Sequence, residues 1–234
     1  MGVFFKLFAE EEKKDGFEEL DSKLDKILID LSKDKNVKIG DQMARVALVM
    51  DYSGSMLDLY KNGDVQDTIT RLLPIALKFD DNGELESWIF SNGCMKRPAI
   101  TQNNYKDYAK KKIMKSSMCM GGTEYAPVLK DVVDFYVGDN PSDVPVFIIF
   151  ITDGDNSDKD KTDEIIKEIA NYNMFVQFIG IGYANFSYLR SLDDMEGRAC
   201  DNTGFTAVAD MNKMRDDELY NEILRQYNDW LNWE

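Results

Sequence analysis

Along the chain, short runs of apolar residues alternate with stretches in which apolar side chains recur every three or four positions. The first such stretch carries Phe17, Leu20, Leu24, Ile27, Leu28 and Leu31, one face of an amphipathic helix over residues 17–31. A polar, turn-rich segment, SKDKNVKIGDQM, follows it. Residues 1–42 therefore read as an N-terminal extension with an amphipathic helix, and 43–234 as the main domain. Beyond Met43 the runs ARVALVM (44–50), LESWIF (85–90), VPVFIIFI (144–151), MFVQFIGIG (174–182) and GFTAVA (204–209) predict strands. Helical spacing predicts helices near 65–79, 104–115, 124–136, 161–171, 186–192 and 213–231, the first with a kink at Pro74, which has no amide proton to donate. Strands that alternate with helices imply an α/β fold. The runs 44–50 and 144–151 are apolar nearly throughout, as central strands are when helices cover both faces of a sheet. The expected architecture is a Rossmann-like, doubly wound, mostly parallel sheet with helices on both faces and an N-terminal helical extension.

Composition narrows the functional class. Lys and Arg number 28 against 43 Asp and Glu, a formal charge of −15, so the long-range field repels nucleic acid and anionic lipid and favours cations and basic partners. No apolar run approaches the ~20 residues of a membrane-spanning helix. The expectation is therefore no nucleic-acid partner and no membrane span. Cys94, Cys119 and Cys200 are widely spaced, form no CxxC pair and have no histidine to complete a zinc site, which reads as reduced thiols in a cytoplasmic protein. The start, MGVFFKLFAEEEKKDG, lacks the apolar core and cleavage site of a signal peptide, and Lys6 breaks the myristoylation pattern. The apolar patch Val3, Phe4, Phe5, Leu7 and Phe8 is expected to pack on the chain's own core.

Both predicted central strands end in oxygen-rich loops, DYSGSM after the first and TDGDNSD after the second. Ligands of open α/β sheets bind at the carboxyl ends of strands, where the strand order reverses. A third loop, MCMGGTEYAPVL, offers Gly121 and Gly122 for a tight turn and then Thr123, which serves as a helix N-cap or as a ligand. Carboxylates and hydroxyls are hard oxygen donors suited to Mg²⁺, Mn²⁺ or Ca²⁺. An EF-hand spacing also falls on Asp153, Asp155, Ser157 and Glu164, but Asp158 stands where that loop needs glycine, and a strand rather than a helix precedes it. Asp155, Asp158 and Asp160 then read as a solvated rim at the start of the next helix.

These residues resemble the metal-ion-dependent adhesion site (MIDAS) of the von Willebrand factor A (vWA) domain, a DxSxS motif completed by a threonine and an aspartate from two later loops. Asp51, Ser53 and Ser55 fit the motif, Thr123 in GGTEY fits the threonine, and Asp153 in ITDGDN fits the aspartate. The loops together are similar to the A domains of tellurium-resistance TerF-type proteins. The resemblance implies a vWA fold over about residues 43–232 and a non-enzymatic, divalent-metal-dependent protein-interaction module, with Mg²⁺ the first choice of metal. It implies a protein partner that supplies a Glu or Asp carboxylate to the metal, in a cytoplasmic tellurium-resistance or stress-response setting. Longer members carry a TerD-like domain ahead of the A domain, and with 42 residues there a calcium-binding TerD activity is not expected of this chain. The rival reading is a Mg-dependent phosphoryl-transfer enzyme with Asp51 as nucleophile. Such enzymes of the haloacid-dehalogenase type place an aspartate two positions on as general acid, and this chain has Ser53 there and no histidine to act as base.

Overall fold

The computed structural model describes residues 18–26, 28, 43–80, 83–211 and 213–232. The patch Val3 to Phe8, the segment 29–42 and the apolar positions Phe17, Ile27 and Leu31 lie outside the described residues. Six strands form one sheet: β1 (Arg45–Asp51), β2 (Leu85–Phe90), β3 (Cys94–Ile100), β4 (Val146–Thr152), β5 (Met174–Ile181) and β6 (Thr203–Val208). Their spatial order is β3-β2-β1-β4-β5-β6, and every neighbouring pair is parallel except β2 with β3. The chain steps outward from β1 through β2 to β3 and then returns to β4 on the other side of β1. The strand order therefore reverses between β1 and β4, which opens a crevice at their carboxyl ends.

Alternation along each buried strand feeds two cores. Val46, Leu48 and Met50 of β1 and Phe147, Ile149 and Ile151 of β4 face one side, while Ala47, Val49, Val146, Ile148 and Phe150 face the other. The first side is covered by α3 (Asp64–Phe79) and α7 (Asp216–Leu231). The second is covered by α4 (Ala126–Val133), α5 (Lys159–Ile169) and α6 (Ser187–Asp193). The expected doubly wound sheet is thus present, with both faces buried, and its central strands β1 and β4 are apolar from Val46 to Met50 and from Val146 to Ile151.

A helix, α1 (residues 18–26), lies ahead of the sheet, and Leu28 beyond it is helical too. Leu24 and Leu28 are buried in the first core beside α3 and α7. Lys23 donates to Asp216 of α7 at 2.9 Å, and Lys78 of α3 pairs with Asp25. This helix is packed in cis.

Three local features depart from the sequence expectation. Helix α2 (Leu57–Asn62) follows the DYSGSM loop directly and ends at Gly63, whose φ of 95° needs a residue free of side-chain clash. β3 is a strand that the pattern missed: its sequence, CMKRPAI, holds two charges and Pro98, which suits an edge strand. Residues 104–115, expected as a helix, hold only a π-helical turn, Ala109–Ile113, and α4 passes at Val133 into a second one, Asp134–Asp139. Helix α3 continues past Pro74, which is buried.

Candidate metal centre

Asp51 is the last residue of β1 and is fully buried. Its Oδ1 accepts the Ser53 amide at 2.7 Å, and its Oδ2 accepts the Thr152 hydroxyl, at the end of β4, at 2.7 Å. The Ser53 and Ser55 hydroxyls are 3.0 Å apart, and Ser55 Oγ donates to Asp153 Oδ1 at 2.9 Å. A continuous hydrogen-bonded chain of oxygens therefore bridges the ends of β1 and β4, across the point where the strand order reverses. Four of the five residues singled out in the sequence, Asp51, Ser53, Ser55 and Asp153, belong to that chain.

Thr123 reaches the same place by backbone ties. Its carbonyl accepts the Ser157 amide at 2.9 Å and the Ser157 hydroxyl at 3.2 Å, while Gly54 N donates to Gly121 O at 3.0 Å. The Thr123 loop is thus stitched to the loops after both β1 and β4. A Cβ at Gly121 would lie 2.3 Å from Asn92 Oδ1, so a side chain there would push aside the exposed Asn92 side chain, the group that accepts the Gly122 amide at 2.7 Å.

Supporting residues that the sequence pattern did not reveal hold this frame. Tyr60 donates to the Asp51 carbonyl at 3.0 Å, and the Tyr125 hydroxyl lies 3.2 Å from Thr152 Oγ1 and donates to Gly154 O at 2.6 Å. Asp158 is no solvated rim. Its two carboxylate oxygens accept the Tyr125 and Ala126 amides, each at 2.9 Å, and so cap α4 from another loop. Asn156 Nδ2 steadies that carboxylate at 2.7 Å. Asp155 pairs instead with Lys159 at 2.6 Å. Those two aspartates are occupied otherwise than an EF-hand would use them.

The electrostatics of the cluster are lopsided. Burial pushes the Asp51 carboxyl up to about 6, against the lowering effect of the Ser53 and Thr152 hydrogen bonds, and the Asp153 charge adds to the rise. Burial also raises Asp153. Neither carboxylate has a Lys or Arg partner among the described residues. Two carboxylates, one of them buried, share a site with hydroxyls and no basic group, a donor set that fits a small divalent cation. No cluster of three or more Asp, Glu, His or Cys side chains suited to a metal occurs among the described residues, so the hydroxyls have to complete any coordination sphere here. The thiols of Cys94, Cys119 and Cys200 are free, and burial pushes Cys94 up to about 11, away from the reactive thiolate.

Comparison with known proteins agrees with this geometry. Residues 43–233 match the vWA-TerF-like family, described as the vWA domain found in the TerF C terminus. The chain is 40% identical over 190 residues to the uncharacterized protein YcbR of Bacillus subtilis (strain 168), covering 80% of this chain and 77% of that one. Its fold is similar to that of the conserved hypothetical protein BatB from Bacteroides thetaiotaomicron, with a TM-score of 0.58, 17% identity, and coverage of 79% of this chain and 98% of that one. It is similar also to proximal thread matrix protein 1 of the mussel byssus in a form with a zinc-occupied MIDAS motif. There the TM-score is 0.56 at 15% identity, and the match covers 80% of this chain and 46% of that one. The chain thus spans about half the length of the mussel protein. No described helix is long and apolar enough to cross a membrane.

Proposed function

The chain belongs to the vWA-TerF-like family, and on that premise we propose that it is a non-enzymatic protein-interaction module built around one divalent cation. Asp51, Ser53, Ser55, Thr123 and Asp153 are its ligands, residues 43–234 form the module, and residues 1–42 are an extension to it. The observation that carries the reading is the Asp51 carboxylate, fully buried and raised to about 6, joined through Ser53 and Ser55 to Asp153 with no basic side chain among the described residues to balance them. When bound, a divalent cation balances those charges and, with hydroxyl oxygens among its ligands, keeps Lewis acidity for an anionic oxygen from outside. The chain's own groups do the positioning. Thr152 and the Ser53 amide orient Asp51, and Ser55 orients Asp153.

Hard oxygen donors put Mg²⁺ first, with Mn²⁺ and Ca²⁺ next. The zinc in the mussel protein's MIDAS makes Zn²⁺ a fourth ion to titrate. The partner is a protein that offers a Glu or Asp carboxylate. Family membership supports a tellurium-resistance or stress-response role in the cytoplasm, which a deletion strain scored for tellurite sensitivity would test.

Isothermal titration of EDTA-stripped protein should give one site for Mg²⁺, lost in Asp51→Ala while the circular dichroism spectrum is kept. Capture of partner proteins should require the same ion and fail in Asp153→Ala. Equal capture in EDTA would overturn the interaction reading. Mg-dependent hydrolysis of a phosphate ester that Asp51→Asn abolishes would replace it with the phosphoryl-transfer reading.

A further inference from the structure

The charge of this chain is distributed unevenly. Between Glu86 and Glu124 stand seven basic residues, Lys96, Arg97, Lys106, Lys110, Lys111, Lys112 and Lys115, against the single acid Asp107, in a chain with a formal charge of −15. Folding sends the neighbours Lys96 and Arg97 to different places. Lys96 turns toward α4, where it pairs with Glu86 at 2.5 Å and sits 4.4 Å from the Phe135 ring centre. Arg97 points the other way and donates through Nε to the Lys112 carbonyl at 3.1 Å. That bond fastens the edge strand β3 to the π-helical turn Ala109–Ile113, which carries Lys110, Lys111 and Lys112. Lys110, Lys111, Lys112 and Lys115 are exposed. Lys111 is paired with Asp107 at 3.2 Å; Lys110, Lys112 and Lys115 have no ion pair among the described residues.

We propose that this face, Arg97 with Lys110, Lys111, Lys112 and Lys115, is a second docking surface, separate from the metal centre, which takes a carboxylate-rich segment of a partner protein. Three unpaired ammonium groups within six residues repel one another and gain from any acidic surface brought within a Debye length, about 8 Å at physiological salt. Other polyanions suit the face less well. Tyr105 and Tyr108, the aromatic side chains of this segment, are buried, so no platform is left for stacking nucleic-acid bases. A lipid surface would need an apolar face to insert, and the segment exposes one large apolar side chain, Met114.

The test uses the full chain and a short fluorescent poly-L-glutamate peptide, followed by anisotropy. Binding should be the same in EDTA and in Mg²⁺, should be unchanged in Asp51→Asn, and should weaken as salt is raised. The triple variant Lys110→Glu, Lys112→Glu, Lys115→Glu should lose about tenfold or more in affinity, because the removed groups are exposed and unpaired. A control triple with the same change in net charge, Lys26→Glu, Lys161→Glu, Lys167→Glu, should lose far less. Absence of binding, or equal losses in the two triples, would overturn the proposal. So would tighter binding of a single-stranded oligonucleotide or of phosphatidylserine vesicles than of the peptide, and so would peptide binding that EDTA or Asp51→Asn abolishes.

Discussion

Asp158 shows how much a single side chain contributes when it joins two loops. It accepts the first amides of α4 from a position more than 30 residues further along the chain, and Asn156 and Thr162 surround it. A capping carboxylate favours a helix N-terminus both by satisfying orphan amides and by opposing the helix dipole. Asp158→Ala should therefore cost about 1–2 kcal/mol, read as a lower urea midpoint with an unchanged slope. Asp158→Asn should recover part of that loss, since the amide oxygen still accepts. The role was invisible in the sequence because capping arguments look to the residue just before a helix, which here is Tyr125. Asp51, Ser53, Ser55 and Asp153, which hydrogen bonds bring together, and Thr123, proposed with them, were legible, by contrast, because each lies at a strand end or in a glycine-marked loop, where spacing within a few residues carries the signal. Thr152, which holds Asp51 Oδ2, was read only as the start of the oxygen-rich TDGDNSD loop and acquires its role from the pairing of β1 with β4.

At the scale of elements, periodicity served where burial is one-sided or complete. β2 was read to its ends, and β1, β4, β5 and β6 to within one or two residues, because their side chains are buried on both faces or, in the edge strand β6, mainly on one. β3 was lost because an edge strand needs only one packed face, and Lys96, Arg97 and Pro98 serve to protect its free edge. The segment 104–115 has the apolar spacing of a helix in Tyr105, Tyr108, Ala109 and Ile113, yet those residues are held by ties such as Gln66 Nε2 to the Tyr105 carbonyl at 2.8 Å, and the backbone needs only one wide turn to bury them. The amphipathic stripe of the N-terminal segment predicts a helix but not its partner; the partner is the pair α3 and α7, through Leu24 and the Lys23–Asp216 and Lys78–Asp25 pairs. Leu24 is fully buried, so Leu24→Ala should destabilise the whole chain by about 2–4 kcal/mol in urea unfolding. The ion pairs are partly exposed and should contribute under about 1 kcal/mol each. If Leu24→Ala left the midpoint unmoved while amides 18–26 exchanged freely, α1 would be an adherent segment rather than part of the folding unit.

For the molecule as a whole, the carboxylates Asp51 and Asp153 of the candidate metal centre couple stability to pH. Asp51 titrates near 6 in the folded chain and near 3.9 when free in the unfolded one. Between those values the folded state holds the extra proton, so the stability of the cation-free protein falls as pH rises through the window, and the full cost of ionising a buried carboxyl is present above it. Asp153, raised in the same direction, adds to the fall. A divalent cation reverses the balance, because it binds the ionised pair and competes with the proton. Its stabilisation, about 2.7 kcal/mol at a hundredfold excess over Kd, is complete above about pH 6 and fades below as affinity drops about tenfold per pH unit. Comparing melting temperatures in Mg²⁺ and in EDTA at one pH cancels every carboxylate that does not touch the ion. The two curves should stand several degrees apart at about pH 7.5 and draw to about half that gap near pH 5. In Asp51→Asn they should coincide at both, and the variant in EDTA should melt no lower than the wild type in EDTA at about pH 7.5, because it lacks the uncompensated charge. A gap of equal size at both pH values, or one that persists in Asp51→Asn, would place the ion away from the ends of β1 and β4.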